Sequence, residues 1–537
     1  MPLKYYGIRG LFFFLILLVF FGASCRPDRD RTDVHRLVIP AENDIQTISP
    51  LILSDPHTTR IVWQMYEGLL GLDEDGNPVP VIAESWEAND DFTEWTFHIR
   101  PDIYFHTSTL FDGPDHTRSV TARDVERSYE SFAKGFGSFV FTEIVEGFDA
   151  FIQNETDDIS GFEAVDEMTF RIHLTRPDPS FIYRITSPYL SVMPKEALLQ
   201  PDEIGQSINV GTGPFKFNRR AATEVHLDRN PDYWAQTDGN IGQLVFRVEK
   251  SQQLRLTQFR NRQYSLMQLP VALIPEFFSG EGLKPEFADR FATYGATTFN
   301  IHYMGINNEA IQDVHLRRAM AHAIDKETIV DKLLYSKARV ASSPVLPGMQ
   351  GYEPPRGPVF DTDAAVEELG RSSYNGEAIT LFVSDAPNSE QIGQVIQSDL
   401  GKIGINIRLQ KLDFNSLITR LLSDDRPELF LMFSEWVYSA PEFILDSYNS
   451  EMFPNPNLFA YENSQVDELI GRLSELTSRE DINRTNYKIE QIALQEVPAV
   501  WLYHQDNVYM MQSGLSGFTV NQHNHWNLAD VLLTEPG

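Results

Sequence analysis

Apolar positions along the chain follow two rhythms, one of period two and one near 3.6, and their clearest alternation lies between residues 379 and 436. Ile379-Thr-Leu-Phe-Val383 is a short apolar run and predicts a strand. Gln391 to Lys402 predicts a helix, with Ile392, Val395, Ile396 and then Ile403 directed inward and Gly404 placed to stop it. Ile405-Asn-Ile-Arg-Leu409 predicts a second strand. Asp413 then caps a helix whose Phe414, Leu417, Ile418, Leu421 and Leu422 share one face. After the breaker Asp424-Asp-Arg-Pro427, Glu428 opens a continuous apolar run ending at Trp436, the pattern of a strand buried on both faces. Strand, helix, strand, helix and strand in this order require right-handed crossovers and a parallel sheet.

Ligands in open α/β sheets sit beyond the carboxyl ends of the strands. Just past this strand end come an indole, a phenol, a hydroxyl and a carboxylate: Trp436, Tyr438, Ser439 and Glu442. They are the candidate ligand-binding residues.

Elsewhere the elements are shorter. Leu37-Val-Ile39 is strand-like, and Thr58 to Leu69 predicts a helix with Ile61, Val62, Met65 and Leu69 on one face. Trp95, Phe97 and Ile99 alternate with polar neighbours, as do residues 170–174, which suits half-exposed antiparallel strands. Asp124 or Thr121 caps a helix, Asp313 caps Val314 to Ala323, and Asp325 caps a further helix through Leu334. Gly211-Thr-Gly213 has no third glycine and no following Lys-Ser/Thr, and Pro214 lacks a donor, so it reads as a turn entering a strand. A long helix to Gln495 precedes Val497 to Tyr503, a strand expected to cross back into an earlier part of the fold.

Length and charge narrow the function. The 537 residues exceed what one core organises, so two or three domains are expected. A net charge of −32, with 76 acidic against 44 basic residues and no long basic run, excludes nucleic acid as a partner. Met1 to Ser24 reads as an export signal, with Lys4 and Arg9 before an apolar core from Leu11 to Phe21 that is too short to span a bilayer comfortably. Cys25 is the single cysteine, so an internal disulfide is impossible. It follows Gly22-Ala-Ser24 and resembles a bacterial lipobox, with glycine at the usual aliphatic position, so Cys25 is the expected lipidation site and membrane anchor.

Catalytic patterns are missing from the sequence: there is no Gly-x-Ser-x-Gly elbow, His-Glu-x-x-His, Walker loop or paired-cysteine metal site. His523-Asn-His525 offers two histidines without a third ligand nearby and reads as a surface loop, not a metal site. Neither an enzyme nor a cofactor is expected.

Several segments carry a family resemblance: Tyr66-Glu-Gly-Leu69, Ala83-Glu-Ser-Trp86, Trp95 to Arg100, Phe105-His106, Thr121 to Val125, Gly211 to Phe217, Leu227 to Trp234, Asp313 to Asp325 and Phe459 to Asp467. In these the chain resembles the family-5 extracellular solute-binding proteins, receptors of peptide and nickel ABC importers. Asp102 stands where that family usually has glycine, and the loop from Thr107 to Arg118 is longer. The resemblance implies a type II periplasmic binding protein-like α/β fold, two lobes joined by hinge strands, with an extra subdomain in the first lobe. Its divisions would be residues 1–24 signal peptide, 25–36 lipid-anchored tether, 37–70 first lobe, 71–180 extra subdomain, 181–298 first lobe again, 299–503 second lobe and 504–537 a return to the first. It also implies a monomeric lipoprotein of the periplasm or cell surface that hands a peptide or peptide-like solute to an ABC permease. An oligosaccharide, opine or metal chelate as solute, and a sensory role, are the alternatives; a hydrolase is the weaker one.

Peptide receptors of this family commonly hold the ligand's α-ammonium with an aspartate in a Trp-x-Ala-Asp-Tyr-like segment. Here the run is Trp436-Val-Tyr-Ser439, with serine at the aspartate position. A hydroxyl cannot neutralise a buried ammonium, which would cost several kcal/mol, on the order of a buried ion's desolvation. Either Glu442 substitutes or the ligand has no free N-terminal amine.

Overall fold

The computed structural model describes residues 35–45, 47–52, 56–135, 137–187, 189–198, 209–280 and 282–534. The signal, Cys25 and the tether before residue 35 lie outside the described residues.

The expected strand–helix unit is present. Strand Ile379–Val383 pairs in parallel with Ile407–Lys411 on one side and Leu429–Glu435 on the other. Helices Ser389–Lys402 and Phe414–Leu421 connect them, and Asp413 caps the second by accepting from the Ser416 amide at 3.0 Å. The sheet then continues with opposite polarity. Leu429–Glu435 pairs antiparallel with Asn300–Ile306, which pairs antiparallel with Ala499–Gln512. A parallel sheet is therefore corrected to a mixed one, because the strands that enter and leave this lobe form its other half.

Ala499–Gln512 is a single strand of 14 residues. Residues 499–503 pair with Asn300–Ile306 in the second lobe, and residues 506–512 pair with Phe291–Thr297 in the first. Only Thr298-Phe299 separates those two partner strands. Both crossings between lobes are thus short stretches of hydrogen-bonded backbone, which is what a hinge requires.

The first lobe is built on a four-stranded sheet in the order Arg36–Ala41, Gln243–Val248, Glu224–Arg229 and Phe215–Ala221. A second, antiparallel sheet joins Ala83–Ala88, Glu94–Ile99, Thr169–His173 and Phe162–Ala164. Helix Ala122–Ala133 covers it and buries Tyr129 edge-on to Phe170 at 5.7 Å. Thr121 is the N-cap of that helix, and Asp124 completes the capping box.

The helix expected over Thr58 to Leu69 is shorter than its pattern. It spans Pro56–Val62, although Ile61, Val62, Met65 and Leu69 are all fully buried. Tertiary pairing captures the next carbonyls: Phe215 N–H donates to Gln64 at 3.0 Å, Gly213 N–H to Met65 at 2.9 Å and Val192 N–H to Glu67 at 2.8 Å. The apolar face survives, but the backbone is spent on the sheet side. The same approach explains Gly211-Thr-Gly213, where a Cβ on Gly211 would stand 2.1 Å from the Met65 carbonyl oxygen. Gly211→Ala is therefore expected to destabilise the first lobe by about 3 kcal/mol, because the obstacle is backbone and cannot rotate away. Thermal unfolding followed by circular dichroism checks this, with an unchanged midpoint as the contrary result.

Candidate functional site

Strand Leu429–Glu435 is buried over its first residues and opens at its end, where Glu435 reaches solvent. The chain leaves it tied to the hinge. The Trp436 amide donates to the Phe299 carbonyl at 2.7 Å, and the Phe299 amide donates to Gln522 at 2.9 Å. Trp436 is half-buried against the second-lobe core.

Tyr438, Ser439 and Glu442 are buried where the lobes meet. The Tyr438 ring lies 4.8 Å from Phe443 and 5.9 Å from Phe139 of the first lobe, and its hydroxyl donates to the Phe139 carbonyl at 3.5 Å. Ser439 packs under the turn at Gly76, whose positive φ of 81° and close neighbours leave no room for a side chain. The Ser439 Oγ has no hydrogen-bond partner among the described residues.

Glu442 is not an open carboxylate. Arg479 forks onto it with contacts of 3.0 and 3.1 Å, Asn486 Nδ2 donates at 3.3 Å, and Ser180 of the first lobe donates its hydroxyl. Arg479 also donates to Ser180 at 2.9 Å. Burial alone would raise the Glu442 carboxyl, but the Arg479 charge and these hydrogen bonds hold it below the usual range. The expectation that Glu442 is free to replace the missing aspartate is corrected on this geometry, because its oxygens are already occupied.

This group forms part of a seam between the lobes. Tyr183 of the first lobe donates to Gln350, and Gln350 Nε2 donates to the Gly76 carbonyl at 2.8 Å. Arg184 stands 4.5 Å from the Phe443 ring and 5.4 Å from Tyr438. Behind the seam are two protonatable acids. Burial pushes Asp446 up to about 7 against the opposing charge of Arg184. Burial likewise pushes Glu490 to about 7, despite hydrogen bonds from Ser343 and Tyr352 at 2.5 Å each.

The four candidate residues stand at the junction of the lobes, and their partners there were missed by the sequence reading. Ser180, Gln350 and Arg479 stand far from the strand in sequence and carry no local pattern. Glu435 did leave a signal, as a carboxylate closing an apolar run. Loss of part of its hydration raises its carboxyl, with the Arg60 charge of the first lobe opposing.

A cavity of about 550 Å³ adjoins the junction within the first lobe. Trp63, Tyr66, Tyr233 and Trp526 contribute aromatic walls, and Glu67 accepts from Thr212, Tyr233 and Trp234. His523 and His525 line this cavity and do not form the exposed loop expected for them. His525 lies edge-on to Trp63 at 5.1 Å and His523 edge-on to Phe299 at 5.3 Å, and burial lowers them to about 4 and about 3. No cluster of three metal-ligating side chains occurs among the described residues.

Comparison with known proteins agrees with this architecture. Residues 77–452 match the family described as bacterial extracellular solute-binding proteins, family 5 (middle). The chain is 25% identical over 529 residues to the periplasmic oligopeptide-binding protein OppA of Salmonella typhimurium, covering 91% of this chain and 90% of that one. It is 23% identical over 467 residues to a dipeptide-binding protein of Pseudomonas aeruginosa, covering 82% and 84%. Among solved structures it resembles a dipeptide-binding protein from Pseudoalteromonas in complex with Met-Leu, with TM-score 0.73, 20% identity and coverage of 93% and 100%. The unliganded open form of the murein tripeptide-binding protein MppA superposes with TM-score 0.77 at 18% identity, covering 94% and 98%. These structural likenesses establish the two-lobed type II fold.

Two outcomes follow from the seam. Arg479→Ala strands a buried carboxylate, which costs about 3–5 kcal/mol for a fully buried pair and, with the Arg479 side chain 30% exposed, about 2 kcal/mol here. Denaturant titration reads that loss, and small-angle scattering reads the accompanying separation of the lobes. Asp446 and Glu490 have folded values raised above the ordinary range near 4, so the native state binds more protons between about pH 4 and 7. Their contribution is complete below that window and is lost as pH rises through about 7. The unfolding midpoint should fall from pH 5.5 to 8, and Glu490→Gln should flatten that fall.

Proposed function

Since the chain belongs to the bacterial extracellular solute-binding proteins of family 5, we propose that it is the substrate-binding lipoprotein of an ABC importer. It captures a peptide or peptide-like solute between its lobes and delivers it to a membrane permease. The observation that carries this reading is the strand Leu429–Glu435 and Trp436, which end at the junction of two lobes joined by hydrogen-bonded crossing strands. A ligand touching both lobes there shifts the opening equilibrium by its differential affinity for the closed arrangement. Relatives with peptide-binding names cover most of the chain, and this supports peptides as the solute class.

On this reading the lobe divisions near residues 298 and 503 fall in the two crossings. Trp436 is a wall of the cleft, while Tyr438, Ser439 and Glu442 brace the seam beside it. Cys25 carries the lipid that keeps the protein at the outer face of a membrane, in the periplasm or on the cell surface. The protein acts as a monomer and performs no chemistry on its solute.

Native mass spectrometry of the full chain, purified from its own membranes in detergent, tests both parts. A co-purified mass that sequences as a peptide is expected, together with an N-terminus trimmed to a diacylglyceryl-modified Cys25. A sugar, opine or metal chelate in the cleft would overturn the peptide reading, and an unmodified thiol at Cys25 would overturn the anchor.

A further inference from the structure

We propose that the cavity inside the first lobe is a second binding site, separate from the cleft between the lobes, and that it takes a small organic cation: a protonated amine carried on an apolar or aromatic body. None of its walls comes from residues 299–503, so opening of the lobes does not take it apart.

The charge of its walls is one-sided. Glu67, Asp73, Glu74 and Asp530 line it, and no lysine or arginine does among the described residues. Three of these carboxylates accept hydrogen bonds from neutral donors only: Glu67 from Thr212, Tyr233 and Trp234, Asp73 from Asn77 and the Asp75 amide, and Asp530 from Asn527 and the Asp238 amide. Glu74 is exposed and bonds to no described residue. Burial lowers His523 to about 3 and His525 to about 4, so both histidines of the wall are uncharged at neutral pH. An anion entering here meets four like charges, and a cation meets four opposite ones.

The apolar walls suit the body of such a ligand. Trp63, Tyr66, Tyr233 and Trp526 supply ring surface, and the volume of about 550 Å³ lies within the roughly 300–1,000 Å³ typical of small-molecule sites. Two indoles of the wall already carry a guanidinium from outside the cavity. Arg60 stands 4.4 Å from the Trp526 ring and Arg100 4.9 Å from the Trp234 ring, the geometry in which an aromatic face attracts a cation.

Polar groups without partners lie in the same walls. Ser187 and Ser191 line the cavity at 3% and 2% exposure, and neither hydroxyl has a hydrogen-bond partner among the described residues. The Nε2 atom of His523 is buried without one as well. Buried polar atoms are nearly always paired, so these three call for a partner that the protein does not supply. A serine oxygen accepts from an ammonium N–H, and so does an unprotonated imidazole nitrogen. Aromatic surface, uncompensated carboxylates and open acceptors are together what a protonated amine requires.

The test is calorimetry on the full chain in detergent at neutral pH with three probes of similar shape and different charge: 2-phenylethylamine, 2-phenylethanol and 3-phenylpropanoate. The amine should bind saturably at one site, the alcohol at least tenfold more weakly, and the carboxylate more weakly still. Ser191→Leu, which fills the cavity, should abolish binding of the amine. Ser187→Ala combined with Ser191→Ala should weaken it at least fivefold without lowering the unfolding midpoint, because neither hydroxyl gives up a hydrogen bond in the free protein. If Ser191→Leu does not fold, the alanine pair decides. Binding of the alcohol or the carboxylate as tight as that of the amine overturns the proposal, and so does saturable binding of none of the three. Amine binding that survives both the leucine and the alanine substitutions places the amine elsewhere and overturns it too.

Discussion

Everything at the candidate site depends on main-chain hydrogen bonding across the two lobe crossings. Strand Ala499–Gln512 is shared between sheets, so the backbone leaves one lobe and enters the other without an unpaired stretch. Unpaired backbone polar groups are costly where they are buried. A continuous strand avoids that cost while still bending and twisting. Trp436 and the Phe299 corner are fastened to this same backbone, so the candidate residue at the strand end is positioned by the hinge itself.

Around that fixed centre, the seam combines a charged cluster with the aromatic contact of Tyr438 on Phe139. Arg479, Glu442 and Ser180 satisfy one another, while Arg184 faces aromatic rings. Polar seams of this kind gain little net energy, because desolvation offsets most of the attraction. That suits lobes that must separate again. A wholly apolar interface of the same extent would hold the lobes together in the absence of solute. The raised acids Asp446 and Glu490 make folding itself less favourable as they ionise.

Two kinds of information were legible in the sequence. Period and capping located the second-lobe unit: Asp413 does cap its helix, Asp313 caps Val314–Ala323 with the expected bounds, and the apolar run after Asp424 is the central strand. These depend on contacts within a few residues, which a sequence displays directly. Motif order gave the family and the two-lobed fold. By contrast, the helix expected through Leu69 stops at Val62, because the amides of Val192, Gly213 and Phe215, far along the chain, claim the carbonyls that follow it.

The site divides along the same line. Sequence alone determined that an aromatic and polar segment follows the central strand, and that Ser439 stands where peptide receptors of the family commonly place an aspartate. Only the tertiary structure decided which acids remain available. Glu442 is neutralised by Arg479, 37 residues further along the chain, and by Ser180, 262 residues before it. His523 and His525 likewise moved from an expected surface loop into a cavity wall because the C-terminal return folds against Trp63 and Phe299. The physical reason is common to these cases: propensity and capping act over one turn of chain, whereas the availability of a charge depends on whatever the fold brings within a few ångströms of it.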